Sequence, residues 1–104
     1  MKHNKLVRDN IPDIILADGH EVSTRILNDK EYKAELEKKL MEECKEVLGS
    51  EGEHRLEELG DVLEVMMALA KLDNYYMDDI VVAARKKREK RGGFDKKIFL
   101  IEEK

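Results

Sequence analysis

The sequence predicts a mainly α protein: an antiparallel bundle of three long helices, plus a short N-terminal helix and a minor two-strand element. Three observations carry that expectation. Charged residues make up 42% of the chain and aromatics 5%, with no Trp and one Pro, which suits long polar helix faces and disfavours an all-β sandwich. Apolar residues recur at helical spacing in three long stretches, each bounded by helix-start or helix-stop residues. A chain of 104 residues buries roughly 65% of its unfolded surface, enough for one core, so 1–104 reads as a single domain.

The elements follow in order. After MKHNKLVRDN, Asn10 is placed to cap a short helix, Pro12 sits where a first turn tolerates it, and Gly19 is a natural stop. HEVSTRIL alternates Val22, Thr24 and Ile26, the pattern of a brief strand or extended arm. Asn28 with Glu31 three residues later has the form of a capping box, opening a helix that runs to Gly49. A second long helix fits 53–72. A third fits 75–91 and ends at Gly92-Gly93. The tail FDKKIFLIEEK holds the run Ile98-Phe99-Leu100-Ile101, a second strand placed to pair with the arm.

Composition excludes several classes of function. Twenty Lys and Arg against 24 Asp and Glu leave a net charge of −4, so no global basic field draws the chain onto nucleic acid. The one cysteine, Cys44, excludes an internal disulfide framework and a Cys-rich zinc site. It falls on an apolar stripe, where a buried structural thiol is expected. No leader and no apolar run near 18 residues is evident, so the expectation is a soluble cytoplasmic protein without a membrane partner.

Four acids stand where apolar residues should be. At about 100° per residue, Tyr32, Leu36, Leu40, Cys44, Val47 and Leu48 form the stripe of the first long helix. Glu43 lies inside it and Glu46 at its margin, whereas Glu42 faces water. On the second long helix the stripe is Leu59, Val62, Leu63, Met66, Leu69 and Ala70, with Glu58 inside, Asp61 at the margin, and Glu57 and Glu64 outside. Each helix thus carries an i, i+3 acid pair on the face that meets the other helix. Unpaired carboxylates there would repel one another and be desolvated at a cost. A hard cation with oxygen ligands, Mg²⁺ or Mn²⁺, resolves the conflict. The alternative is that these acids pair with Lys39, Arg55 or Lys71 at the rim of the bundle.

EECKE at 42–46 followed by ELGD at 58–61 resembles the ExxE…ExxD signature of the all-α nucleoside triphosphate pyrophosphohydrolases. This superfamily includes MazG-like proteins, dimeric dUTPases and phosphoribosyl-ATP pyrophosphohydrolase. The segments NKLVRDNIPDII, KLMEECKEV, LEELGDVLEV and KKREKRGGF are similar to a branch labelled phosphoribosyl-ATP pyrophosphohydrolase-like. The resemblance implies the MazG-like fold and a homo-oligomer, dimer or tetramer. It also implies Mg²⁺ held by Glu43, Glu46, Glu58 and Asp61, and hydrolysis between the α and β phosphates of a nucleotide substrate. The spacing between the two acid pairs is short, and the insertions of dUTPases are not evident, which weighs against pyrimidine specificity.

Each group then has an expected role. Bound metal neutralises phosphate charge and acidifies a water. Glu46 and Glu58 are the expected acid-base residues, Glu46 being the preferred acceptor of that water's proton. Lys87 and Arg91, i, i+4 in the basic run 85–91, match the cations ahead of the RGGF turn and are expected to bind phosphate. The bland account of that run is favourable pairing with the helix dipole. Lys5 and Arg8 are expected in substrate or subunit contact. His3, His20 and His54 lack metal-ligand spacing and are expected in solvent. The alternatives are phosphoribosyl-ATP hydrolysis in histidine biosynthesis, and a helical dimerisation module without chemistry.

Overall fold

In a computed structural model, which describes residues 3–104, the chain is built from four helices: α1 (Ile11–Ala17), α2 (Asp29–Leu48), α3 (Gly52–Leu72) and α4 (Met77–Arg91). No strand occurs among the described residues, so the expected two-strand element is absent. The arm around Val22 and the tail around Phe99 are irregular, and neither finds the other. A strand needs a partner for its N–H and C=O groups, and apolar alternation alone does not supply one.

Capping chemistry sets the helix starts. At α2 the Asn28 side chain accepts a hydrogen bond from the Glu31 N–H at 2.9 Å, and Glu31 Oε1 accepts from the Asn28 N–H at 3.3 Å. Arg25 donates to both Glu31 oxygens, at 3.1 and 2.8 Å. The Arg25 guanidinium, and then the Asn28 amide, hold the Glu31 carboxyl below the usual carboxylate range; Glu31 in turn raises the Arg25 pKa. At α4 the Asp79 carboxylate accepts from the Tyr76 N–H at 2.8 Å. At α1 Pro12 occupies the first turn, but the Asn10 side chain makes no cap bond.

The α2–α3 hairpin is the centre of the molecule. Its connection is short, and Gly52 adopts φ 62° there, a left-handed conformation that costs glycine little. Ser50 is buried, its hydroxyl donates to the Val47 carbonyl at 2.9 Å, and Arg55 Nε donates to the Ser50 carbonyl at 3.1 Å. Arg55 therefore secures the turn, and is not a partner for the acid pairs. Leu36 and Val65 are the buried apolar residues, flanked by half-buried Tyr32, Leu40, Val62, Leu63, Met66 and Leu69. Cys44, Leu48 and Leu59, expected on the packed stripes, are exposed, because two helices alone cover only one side of each stripe.

The remainder is open. The radius of gyration is 18.1 Å, against about 13 Å for a compact chain of this length. The accessible surface is 10005 Å², where a folded monomer of this mass has roughly 6,000 Å². No described helix is long and apolar enough to cross a membrane.

Because the α2 cap is fully formed, Asn28→Ala should lower stability by about 1 kcal/mol and the melting temperature by roughly 4–8 °C. Thermal circular dichroism measures both, and an unchanged melting temperature would contradict the role of the box. A lowered carboxyl pKa stabilises above the usual carboxylate range and loses its effect as pH falls through the folded value. The difference between wild type and Glu31→Gln should therefore shrink on acidification.

Candidate metal centre

Glu43 on α2 meets Glu58 and Asp61 on α3: one carboxylate oxygen from each lies within 4.8 Å of the other two. The helical phase explains the selection. Glu43 and Glu58 are half-buried, whereas Glu42 and Glu57, one residue earlier, are exposed. The register agrees, since buried Leu36 lies seven residues before Glu43 and buried Val65 seven after Glu58. In an antiparallel pair those equal offsets put the acids two turns from the packed core and level with one another.

Glu46 stands apart. It is exposed, one turn beyond Glu43 on α2, and it is not within the cluster of three. The structure therefore assembles three of the four expected ligands.

Each clustered acid has its own basic neighbour. Lys39 Nζ is 3.8 Å from Glu43 and His54 Nε2 is 3.3 Å from Glu58, both at i, i+4 spacing. Arg8 Nη2 donates to Asp61 Oδ1 at 2.7 Å. Arg8, expected at substrate or subunit contacts, thus ties the N-terminal segment to α3. His54, expected in solvent, stands beside Glu58 with its side chain largely exposed. The i, i+4 spacings of Lys39–Glu43 and His54–Glu58 are legible in the sequence. No local pattern announces Arg8–Asp61, which joins residues 53 positions apart.

The other expected residues lie elsewhere. Lys5 rests against α2 in a recess lined by Leu6, Glu35, Lys38, Lys39 and Glu42, with about 10 Å³ of space, room for a single water. Lys87 and Arg91 are exposed on α4, beside an open depression of about 310 Å³ bordered by α4 residues alone. No described hydrogen bond or ion pair joins them to the acids, and α4 packs on α3 but not on α2.

The donor set is all carboxylate oxygen, the chemistry of Mg²⁺ and Mn²⁺ rather than of softer metals. The residues present fit such an ion. No family model, curated protein or solved structure matches this chain.

An ion that binds only the folded arrangement stabilises it by mass action. The melting temperature should rise in millimolar Mg²⁺ or Mn²⁺, and the increment should vanish in Glu43→Gln. A rise of equal size in wild type and variant would place the ion elsewhere.

Proposed function

We propose that this chain is a Mg²⁺-dependent hydrolase of nucleoside triphosphates, cutting between the α and β phosphates to release a monophosphate and pyrophosphate, on a MazG-like helical fold. The observation that carries the reading is the meeting of Glu43, Glu58 and Asp61 across two helices. Three carboxylates repel a triphosphate, and a divalent ion between them reverses the sign of that interaction. When bound, the ion would supply charge neutralisation at phosphorus and a more acidic water.

The chain's own residues do the remainder. Glu43, Glu58 and Asp61 would hold the ion. Glu46, exposed one turn away, is assigned as acceptor of the water's proton, with Glu58 as the nearer alternative. Arg8, at 2.7 Å from Asp61, orients that carboxylate and adds positive charge at the edge of the site. Lys87 and Arg91 supply cations for the outer phosphates. They project from a helix that does not pack on α2, so their approach to the acids is assigned to a second copy in a dimer or tetramer. The excess of accessible surface over that of a compact monomer, roughly 4,000 Å², supports such an assembly; obligate interfaces bury areas of that order.

One observation favours a second reading. Every acid of the cluster already has a basic neighbour, which is how a helical interaction module would neutralise a charged seam without metal. Activity separates the two. Glu58→Gln keeps shape and removes charge, so turnover should fall at least about a hundredfold. Glu57→Gln, on the exposed side, should lose far less. Lys87→Ala should chiefly raise KM, because a phosphate-positioning cation acts on ground and transition states alike. The assay is pyrophosphate release from a panel of nucleoside triphosphates and phosphoribosyl-ATP at saturating Mg²⁺. Equal losses at Glu57 and Glu58 would contradict the assignment, and no release from any substrate would leave the interaction module as the function.

A further inference from the structure

The α2–α3 hairpin has two sides, and the chain covers one of them. At about 100° per residue, Glu35, Lys39 and Glu42 lie on one side of the line through buried Leu36, and these border the recess of Lys5 and Leu6. Asp61, which holds Arg8, lies in the same rotational sense from buried Val65. Because the two helices run antiparallel, equal senses of rotation fall on one side of the hairpin. The N-terminal segment therefore takes that side. Met41, Cys44 and Leu48 on α2 are rotated the other way, as is a stripe of α3. On that second side Leu48 is 85% exposed, Leu56 71%, Met41 66% and Leu59 47%. Among the described residues α2 packs on α3 and α3 on α4, and no other pair of helices packs.

The α3 stripe has the spacing of a helix seam. Leu56, Leu59, Leu63, Met66 and Ala70 follow one another at intervals of three, four, three and four, the pattern that packs knobs into holes on a facing helix. Gly60 stands beside it inside α3, and nothing lies within 4 Å of the place a Cβ would take. Glycine inside a helix is destabilising relative to alanine, and no contact within the chain makes use of its small size. A backbone approaching from outside would.

We propose that this stripe is an interface, on which α3 packs antiparallel against α3 of a second copy across a two-fold axis near Gly60. Self-complementarity selects the partner. The axis sets Leu59 of one copy against Leu63 of the other and Leu56 against Met66, apolar on apolar. It also brings Gly60 beside its own copy, whereas a parallel pair would set it beside Arg55. Antiparallel helices oppose their dipoles as well. The matching stripe of α2 is the poorer seam, since Glu37 interrupts Ala34, Met41, Cys44 and Leu48. Area permits the assembly: a standard interface takes about 800 Å² from each partner, a fraction of the excess surface already described. Asp61 lies on the opposite side of α3 from the stripe, so the acid cluster stays open. The interface names the partner face of the assembly assigned above, and because its test reads association, loss of the hydrolase assignment leaves it standing.

Light scattering and sedimentation of the full chain test it. Wild type should be a dimer at micromolar protein. Leu63→Glu should raise the dimer Kd at least about thirtyfold, as for a residue central to an interface. Gly60→Leu should raise it at least about tenfold through steric conflict while circular dichroism shows helix content equal or higher, which separates lost association from lost folding. Phe99→Glu, in the exposed tail, should leave the dimer intact. In a Cys44→Ser background, Leu59→Cys mixed with Leu63→Cys should form the mixed disulfide at least about tenfold faster than Leu59→Cys mixed with Met41→Cys, since paired helices hold the thiols at an effective concentration of the mM order. A monomeric wild type would overturn the proposal. So would a dimer that survives both Leu63→Glu and Gly60→Leu, one that Phe99→Glu dissociates, or faster cross-linking to Met41→Cys, which would set α3 against α2.

Discussion

The packing of α2 against α3 is the constraint on which the rest depends. The chain has few buried apolar residues, Leu36 and Val65 foremost, and they fix the register of the two helices. Once that register is set, Glu43 faces Glu58, because those two acids lie at equal offsets from the buried pair, and Asp61, three residues after Glu58 on α3, joins them. The turn reinforces it: buried Ser50, hydrogen-bonded to Val47 and capped by Arg55, leaves the helices little freedom to slide. A hydrophobic contact two turns away thus holds three like charges within 4.8 Å.

Gathered carboxylates need compensation, and the chain provides it in two tiers. Lys39 and His54 lie on the same helices as the acids they stand beside, so helix geometry alone delivers them. Arg8 arrives from outside the hairpin and makes the shortest of the three contacts. Arg8 and His54 are largely exposed, whereas Lys39 and Glu43 are more enclosed.

The sequence disclosed those features whose cause is local. Asn28 and Glu31, three apart, announced a capping box that the structure contains atom for atom. Helix ends fell within a residue or two of the expected positions at α2 and α3. The phase difference between Glu42 and Glu43, and between Glu57 and Glu58, is a consequence of 3.6 residues per turn and appears as the difference between exposed and half-buried. Features with distant causes were not legible. Arg8–Asp61 joins separate segments. The strands failed because pairing is a property of two segments, and the alternation at 22–26 specifies neither partner nor register. Cys44 and Leu48 lie on the expected stripe yet remain exposed, since a periodic pattern tells which face is apolar but not how many neighbours arrive to cover it. Glu46 is at i, i+3 from Glu43, yet three residues of rise carry it past the end of the cluster.

The most direct measurement is anomalous X-ray diffraction from crystals grown with Mn²⁺. One strong peak per chain is expected within coordination distance of Glu43, Glu58 and Asp61, with Lys39 and Arg8 displaced from the carboxylates they now contact. Crystals in which those ion pairs persist in saturating Mn²⁺, with no peak between the three acids, would contradict it.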